Sequence, residues 1–131
     1  MFEKILVPTD GSELAEKAGF EAVQLAKKVG GKIIVIHIID QRLTRPYDEL
    51  EKEGNEYINI IINNAVENGV DCESMIVFGS PKYDMMKLTD KSEADCIMLG
   101  TQGRTGLKSV MLGSFAQNVI KNITLPIILI K

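Results

Sequence analysis

The sequence predicts a doubly wound α/β fold, a five-stranded parallel sheet with helices on both faces. Three observations carry this. Short apolar runs rich in β-branched residues alternate with longer segments of helical periodicity, in the order β-α-β-α-β-α-β-α-β. The runs are continuously apolar rather than alternating, as expected of strands covered on both faces, and right-handed crossovers then give a parallel sheet. No internal repeat, low-complexity tract or linker interrupts the 131 residues, a length that suits a single domain over 1–131.

The elements follow in order. Ile5-Leu6-Val7 is a short buried strand. Ser12 offers a hydroxyl cap to a first helix, whose apolar residues Leu14, Ala18, Ala22, Leu25, Ala26 and Val29 fall on one face. Gly30-Gly31 ends it in the left-handed conformation that glycine adopts freely. Lys32 to Ile39 is the second strand, and Asp40 to Pro46 a loop. A second helix runs from Tyr47 to Asn68, with Ile58, Ile61, Ile62 and Ala65 facing inward, and Gly69 stops it. Glu73 to Phe78 is the third strand. Gly79-Ser80-Pro81 is a turn, with Pro81 suited to the first turn of a short third helix ending near Ser92. Asp95 to Leu99 is the fourth strand, Gly100 to Leu112 a glycine-bearing loop, Ser114 to Ile123 the last helix, and Pro126 to Ile130 the last strand.

Composition narrows the function classes. Hydrophobic residues make up 45% and charged residues 25%, enough for a core without a metal or disulfide staple. A net charge of −3 with no basic stripe argues against nucleic acid or a membrane surface as partner. No run approaches the roughly 20 apolar residues of a membrane span, and the start, Met1-Phe2-Glu3-Lys4, has no signal-peptide pattern, so a cytoplasmic location is expected. Cys72 and Cys96 lack zinc-site spacing and read as reduced structural thiols, Cys96 in the core.

In doubly wound sheets, ligands bind at the carboxyl ends of strands where strand order reverses. Two strand ends here stand out: Val7-Pro8-Thr9-Asp10-Gly11-Ser12, and Gly100-Thr101-Gln102-Gly103-Arg104-Thr105-Gly106 with Gly113-Ser114 opening the next helix. The second suits a phosphate. Glycines let backbone N–H groups approach an anion, and the helix N-terminus adds free donors and a partial positive charge. Ser114 adds a hydroxyl, and Arg104 and Lys108 add positive charge. Two familiar phosphate motifs fail: Gly106-Leu107-Lys108-Ser109 lacks the Walker A glycine before its lysine, and no G-x-G-x-x-G follows the first strand.

The spacing Gly100-x-x-Gly103, nine residues, then Gly113-Ser114 resembles the ATP-binding branch of the universal stress protein family. So do Val7 to Ser12, Gly79-Ser80-Pro81, Ala94 to Gly100, and Leu125 to Ile130, so the resemblance runs the whole chain. It implies strand order 3-2-1-4-5, a Rossmann-like sheet with the reversal between strands one and four. It also implies a site. Asp10 would face the ribose or, through magnesium or manganese, the phosphates. Pro8 and Thr9 would line the nucleoside side, and the Ile38 backbone would bond adenine. Gly100, Gly103, Gly113 and Ser114 would hold the phosphates, with Thr101, Gln102, Arg104 and Phe115 alongside.

Other residues have plainer readings. Asp10 can also cap the first helix with Ser12. His37, among apolar neighbours and with no triad context, reads as a satisfied core or semi-buried histidine. Met85, Met86 and Met98 read as core filler, and Asp48 to Glu56 as a solvated helix face. An ATP-binding stress-response or regulatory module leads over two alternatives. A nucleotide-dependent enzyme lacks an evident base, so no residue is assigned as catalytic and hydrolysis would be slow at most. A phosphorylated receiver domain wants an aspartate where the third strand ends in Phe78-Gly79. The apolar strand Pro126 to Ile130 would sit at a sheet edge, so a homodimer through it is expected, unless the 40–57 segment covers that edge.

Overall fold

The computed structural model describes residues 2–102 and 112–131. Its elements are β1 (Lys4–Pro8), α1 (Glu13–Val29), β2 (Lys32–Asp40), α2 (Tyr47–Glu67), β3 (Cys72–Gly79), α3 (Pro81–Ser92), β4 (Cys96–Gly100), α4 (Ser114–Asn122) and β5 (Ile127–Ile130). The strands pair in parallel in the order β3-β2-β1-β4-β5. This is the expected doubly wound sheet, with each element within a residue or two of its sequence reading.

Local chemistry places the ends. The Ser12 hydroxyl accepts from the Ala15 N–H at 3.2 Å and starts α1. Gly30 ends it with φ +74°. Ser80 caps α3, accepting from the Tyr83 N–H at 3.3 Å, with Pro81 at the first helical position, where its missing N–H costs nothing.

Alternate strand residues feed two core layers. On one face, Ile5, Val7, Ile33, Val35, Cys96 and Met98 pack against α1 and α2. On the other, Leu6, Ile34, Ile36, Ile97 and Leu99 pack against α3 and α4. Cys96 is fully buried, and burial, with the Asp95 charge second, pushes its thiol up to about 12, so it stays a neutral, unreactive core group.

Two packing expectations are corrected. The buried stripe of α1 is Ala15, Ala18, Gly19, Ala22, Val23 and Ala26, while Val29 is 46% exposed and Leu14 and Leu25 are only half-buried. The helix lies so close to its neighbours that the smallest residues, not the largest, face inward. Met85 is fully buried, but Met86 is 43% exposed, because one residue along a helix turns the side chain by about 100°. Over Asp48 to Glu56 most residues are solvated as expected, except Leu50 and Gly54, which α2 buries.

The sheet edges are β3 and β5. α2 packs on β2 and β3, at the far side of the sheet from β5, so the 40–57 segment does not cover the β5 edge. Among the described residues, no helix is long and apolar enough to cross a membrane.

Candidate functional site

A cavity of about 690 Å³ opens at the carboxyl ends of β1, β2 and β4. β1 contributes Pro8 and the Thr9–Asp10–Ser12 turn. β2 contributes Ile36 to Asp40. Gly100 ends β4 and Gln102 follows it, and Gly113 stands at the N-cap of α4, which Ser114 to Ala116 open. Leu43, Arg45, Leu50, Glu53 and Tyr57 close the far end.

The turn after β1 is tightly held. Thr9 is buried, its N–H donates to the Ile36 carbonyl at 2.8 Å, and its Oγ1 accepts from the Gly11 N–H at 3.2 Å. Asp10 Oδ1 accepts from the Ser12 N–H at 3.0 Å. Gly11 has φ +82°, which an L side chain rarely adopts. Asp10 therefore shares in starting α1 while lining the cavity.

The register of β2 decides what Ile38 offers. The Lys32 N–H donates to Glu3 and Ile36 accepts from Thr9, whereas the Ile33 N–H donates to Asp71 and the Gln41 N–H to Gly79. Even-numbered residues thus bond towards β1, odd-numbered ones towards β3. The ladder with β1 ends at Pro8↔Ile36, so the N–H and C=O of Ile38 face the side where the neighbouring strand has stopped.

The β4 end is built differently. Gly100 abuts the first turn of α1, where a Cβ would lie 2.8 Å from Leu14 Cβ and 3.2 Å from its carbonyl carbon. The Thr101 N–H donates to Ile130, and its carbonyl accepts from the Gly113 N–H at 2.7 Å, which ties α4 to the sheet. The amide of Gly113 is therefore engaged. With φ −67° and no side-chain cap, Gly113 instead leaves the N–H groups of Ser114, Phe115 and Ala116 uncapped at the cavity. Ser114 is exposed there and Phe115 half-buried. Gly103 and Arg104 lie outside the described residues, as does most of the spacer between the glycine pairs.

Charged groups frame the far end. The Arg42 side chain, hydrogen-bonded to Asp40 at 2.7 Å, holds that carboxyl below the usual carboxylate range, against an opposing push from burial. Arg45 pairs with Glu53 and, at 3.4 Å, with Glu49. His37, read as a satisfied core or semi-buried residue, is half-buried, and its Nδ1–H donates to the Thr9 carbonyl at 2.8 Å. Its place in the cavity wall was missed, as were those of Leu43, Arg45, Leu50, Glu53 and Tyr57. The available signal was adjacency to Ile38 at the end of β2. The α2 residues carried none, because only the third dimension brings that helix over the strand end. Among the described residues, no cluster of three or more His, Cys, Asp or Glu side chains is arranged to hold a metal.

The chain is a doubly wound α/β protein with its cavity at the strand-order reversal, where proteins of this architecture bind ligands. The family model for the universal stress protein family matches residues 1–131, and the chain belongs to that family. Universal stress protein MJ0531 of Methanocaldococcus jannaschii is 31% identical, over all of this chain and 83% of the relative. The solved structure of protein MJ0577 from the same organism is 30% identical, covers all of this chain and 96% of its own, and superposes with a TM-score of 0.86. The universal stress protein from Archaeoglobus fulgidus, solved in complex with dAMP, is 25% identical over 98% of this chain and 97% of its own, with a TM-score of 0.79.

Proposed function

We propose that this chain is an ATP-binding regulatory module of the stress response, holding the nucleotide across the ends of β1, β2 and β4. The observation that carries the reading is the meeting, in one cavity, of two sets of backbone groups left without strand or helix partners. One is the N–H and C=O of Ile38. The other is the uncapped first turn of α4.

The chemistry of these donors fits the nucleotide from end to end. A strand N–H and C=O match the acceptor and donor of the adenine edge. Helix-end N–H groups favour phosphate. Pro8 and Thr9 line the space between, with Asp10 directed to the ribose or to a divalent ion. A single carboxylate fits magnesium or manganese only as an ion that phosphate oxygens also coordinate, which is the usual pattern for magnesium. The resemblance assigns the phosphates to Gly100, Gly103, Gly113 and Ser114, with Thr101, Gln102, Arg104 and Phe115 alongside; of these Gly103 and Arg104 lie outside the described residues. Gly113 serves by leaving the turn uncapped, since its own amide is engaged by Thr101.

Calorimetric titration with ATP, with and without magnesium, tests this. Saturable heat is expected, stronger with magnesium. No heat from folded protein at high concentration would remove the reading. The A. fulgidus relative, a complex with dAMP, supports an adenine nucleotide as ligand class.

The same reading includes a homodimer through β5. The strand is apolar, half-buried on most of its length and 36% exposed at Leu129, with its outer edge unpaired by any described element. Pairing with a second copy about a two-fold axis would satisfy both edges. Sedimentation equilibrium should find a dimer at tens of micromolar, and Leu129→Lys should shift it towards monomer. Monomer alone at that concentration overturns the dimer and leaves the nucleotide reading intact.

A further inference from the structure

We propose that His37 contacts the ligand directly, its Nε2 accepting a hydrogen bond from an O–H or N–H of the nucleoside. The inference rests on the nucleotide reading above and adds a residue to it. His37 is the chain's only histidine. A ladder continuing past Pro8↔Ile36 would pair the Thr9 carbonyl with the Ile38 N–H. That carbonyl accepts instead from His37 Nδ1 at 2.8 Å, and the Gly11 N–H turns to Thr9 Oγ1. The ring thus takes the place of the strand and leaves the Ile38 backbone open.

The same bond fixes the tautomer. A carbonyl oxygen only accepts, so Nδ1 carries the hydrogen, and Nε2 of the neutral ring is an acceptor. The ring is wedged in place. A Cβ at Gly54 would lie 2.5 Å from its Cδ2 and 3.2 Å from Nε2, and the Tyr57 ring stands edge-on at 5.5 Å and 79°. No described residue bonds Nε2, and the half-buried side chain lines the cavity. A phosphate oxygen cannot fill that vacancy, because it only accepts at neutral pH. A ribose hydroxyl or an exocyclic amine can. The charges agree: Asp10, Asp40 and Glu53 line this part of the cavity, and the arginines beside them, Arg42 and Arg45, are engaged by Asp40 and Glu53, so it suits the donor-bearing end of a nucleotide. The N–H groups of α4 suit the acceptor-bearing end.

The test uses one substitution and one spectrum. In His37→Asn, the amide Nδ2 can still donate to Thr9, but the Nε2 acceptor is gone. It should bind ATP about fivefold more weakly, the factor of one neutral hydrogen bond. Wild type should lose a similar factor for one of three analogues: 2′-deoxy-ATP, 3′-deoxy-ATP, or inosine triphosphate, which lacks the exocyclic amine. The variant should no longer discriminate against that analogue. The analogue affected separates sugar from base. In ¹⁵N spectra, the single histidine should show the Nδ1–H tautomer without ligand, and its Nε2 signal should move on saturation with ATP. An Nε2–H tautomer, an unmoved Nε2 signal in protein that binds ATP, or unchanged discrimination in the variant overturns the assignment to His37 alone. Absence of binding by any of the four nucleotides overturns the nucleotide reading and this inference with it.

Discussion

Ser114→Glu should bind ATP at least ~100-fold more weakly and melt no lower than the parent protein. Ser114 is the first residue of α4, exposed and lining the cavity, and that helix has neither a side-chain cap nor an acidic residue in its first turn. A carboxylate there complements the helix dipole, which stabilises a helix by roughly 0.3–1 kcal/mol. The same carboxylate would take the N–H groups that the phosphates need and oppose them with like charge, a juxtaposition that costs several kcal/mol. Folding and binding therefore move in opposite directions, which a loss of structure cannot imitate. A thermal melt and a calorimetric titration decide it. Undiminished ATP binding would place the phosphates elsewhere. Ser114→Ala, which removes only a hydroxyl, should weaken binding by about 1–2 kcal/mol.

The largest effect on stability is expected where α1 meets α2. Ile61 is fully buried, and a Cβ built on Gly19 would lie 2.5 Å from its Cδ1 and 2.6 Å from its Cγ1. Ile61→Ala should cost about 2–5 kcal/mol, as large-to-small core changes do. Gly19→Ala gains roughly 0.5–1 kcal/mol of helix propensity, yet it should be net destabilising, because overpacking costs about 1–3 kcal/mol. In the Ile61→Ala background the sign should reverse: the added methyl enters space that the isoleucine has left, so Gly19→Ala should stabilise by about 1 kcal/mol. Urea unfolding of the four proteins reads this directly. Additive effects would mean that the two residues do not oppose each other across the helix contact.

The fold was legible because strands and helices differ in period. Lys32 to Ile39 is too β-branched to be mistaken, and Ser12, Gly30, Gly69 and Pro81 mark ends by local chemistry alone. Packing depth was less legible. Of the α1 stripe read from the period, Ala18, Ala22 and Ala26 are buried but Leu14, Leu25 and Val29 are not, and the distance between helices selects Ala15, Gly19 and Val23 in their place. A helical period gives the direction of a face to within a turn, but not how close the neighbour lies. The candidate site split along the same line. Asp10, Gly100, Gln102, Gly113 and Ser114 could be named because they sit at strand and helix ends, and Ile38 and Phe115 because the family resemblance implied them; all line one cavity. His37 and the wall from Leu43 to Tyr57 could not, because their part follows from β1 stopping one pair before His37 and from α2 crossing there.

The pairing of β1 with β4 has a consequence for synthesis. Of the five strands of the sheet β1 is made first, yet its second neighbour, Cys96 and Ile97, follows some ninety residues later, and the α4 wall of the cavity later still. A chain emerging from the ribosome therefore carries the Asp10 turn and the β2 and α2 walls long before it carries the β4 and α4 walls of the same cavity. Until residue 116 has cleared the exit tunnel, the cavity lacks its α4 wall. Any small molecule held between these walls can stabilise only finished chains. It cannot chaperone a half-made one, and a truncated product would gain no protection from it against proteolysis.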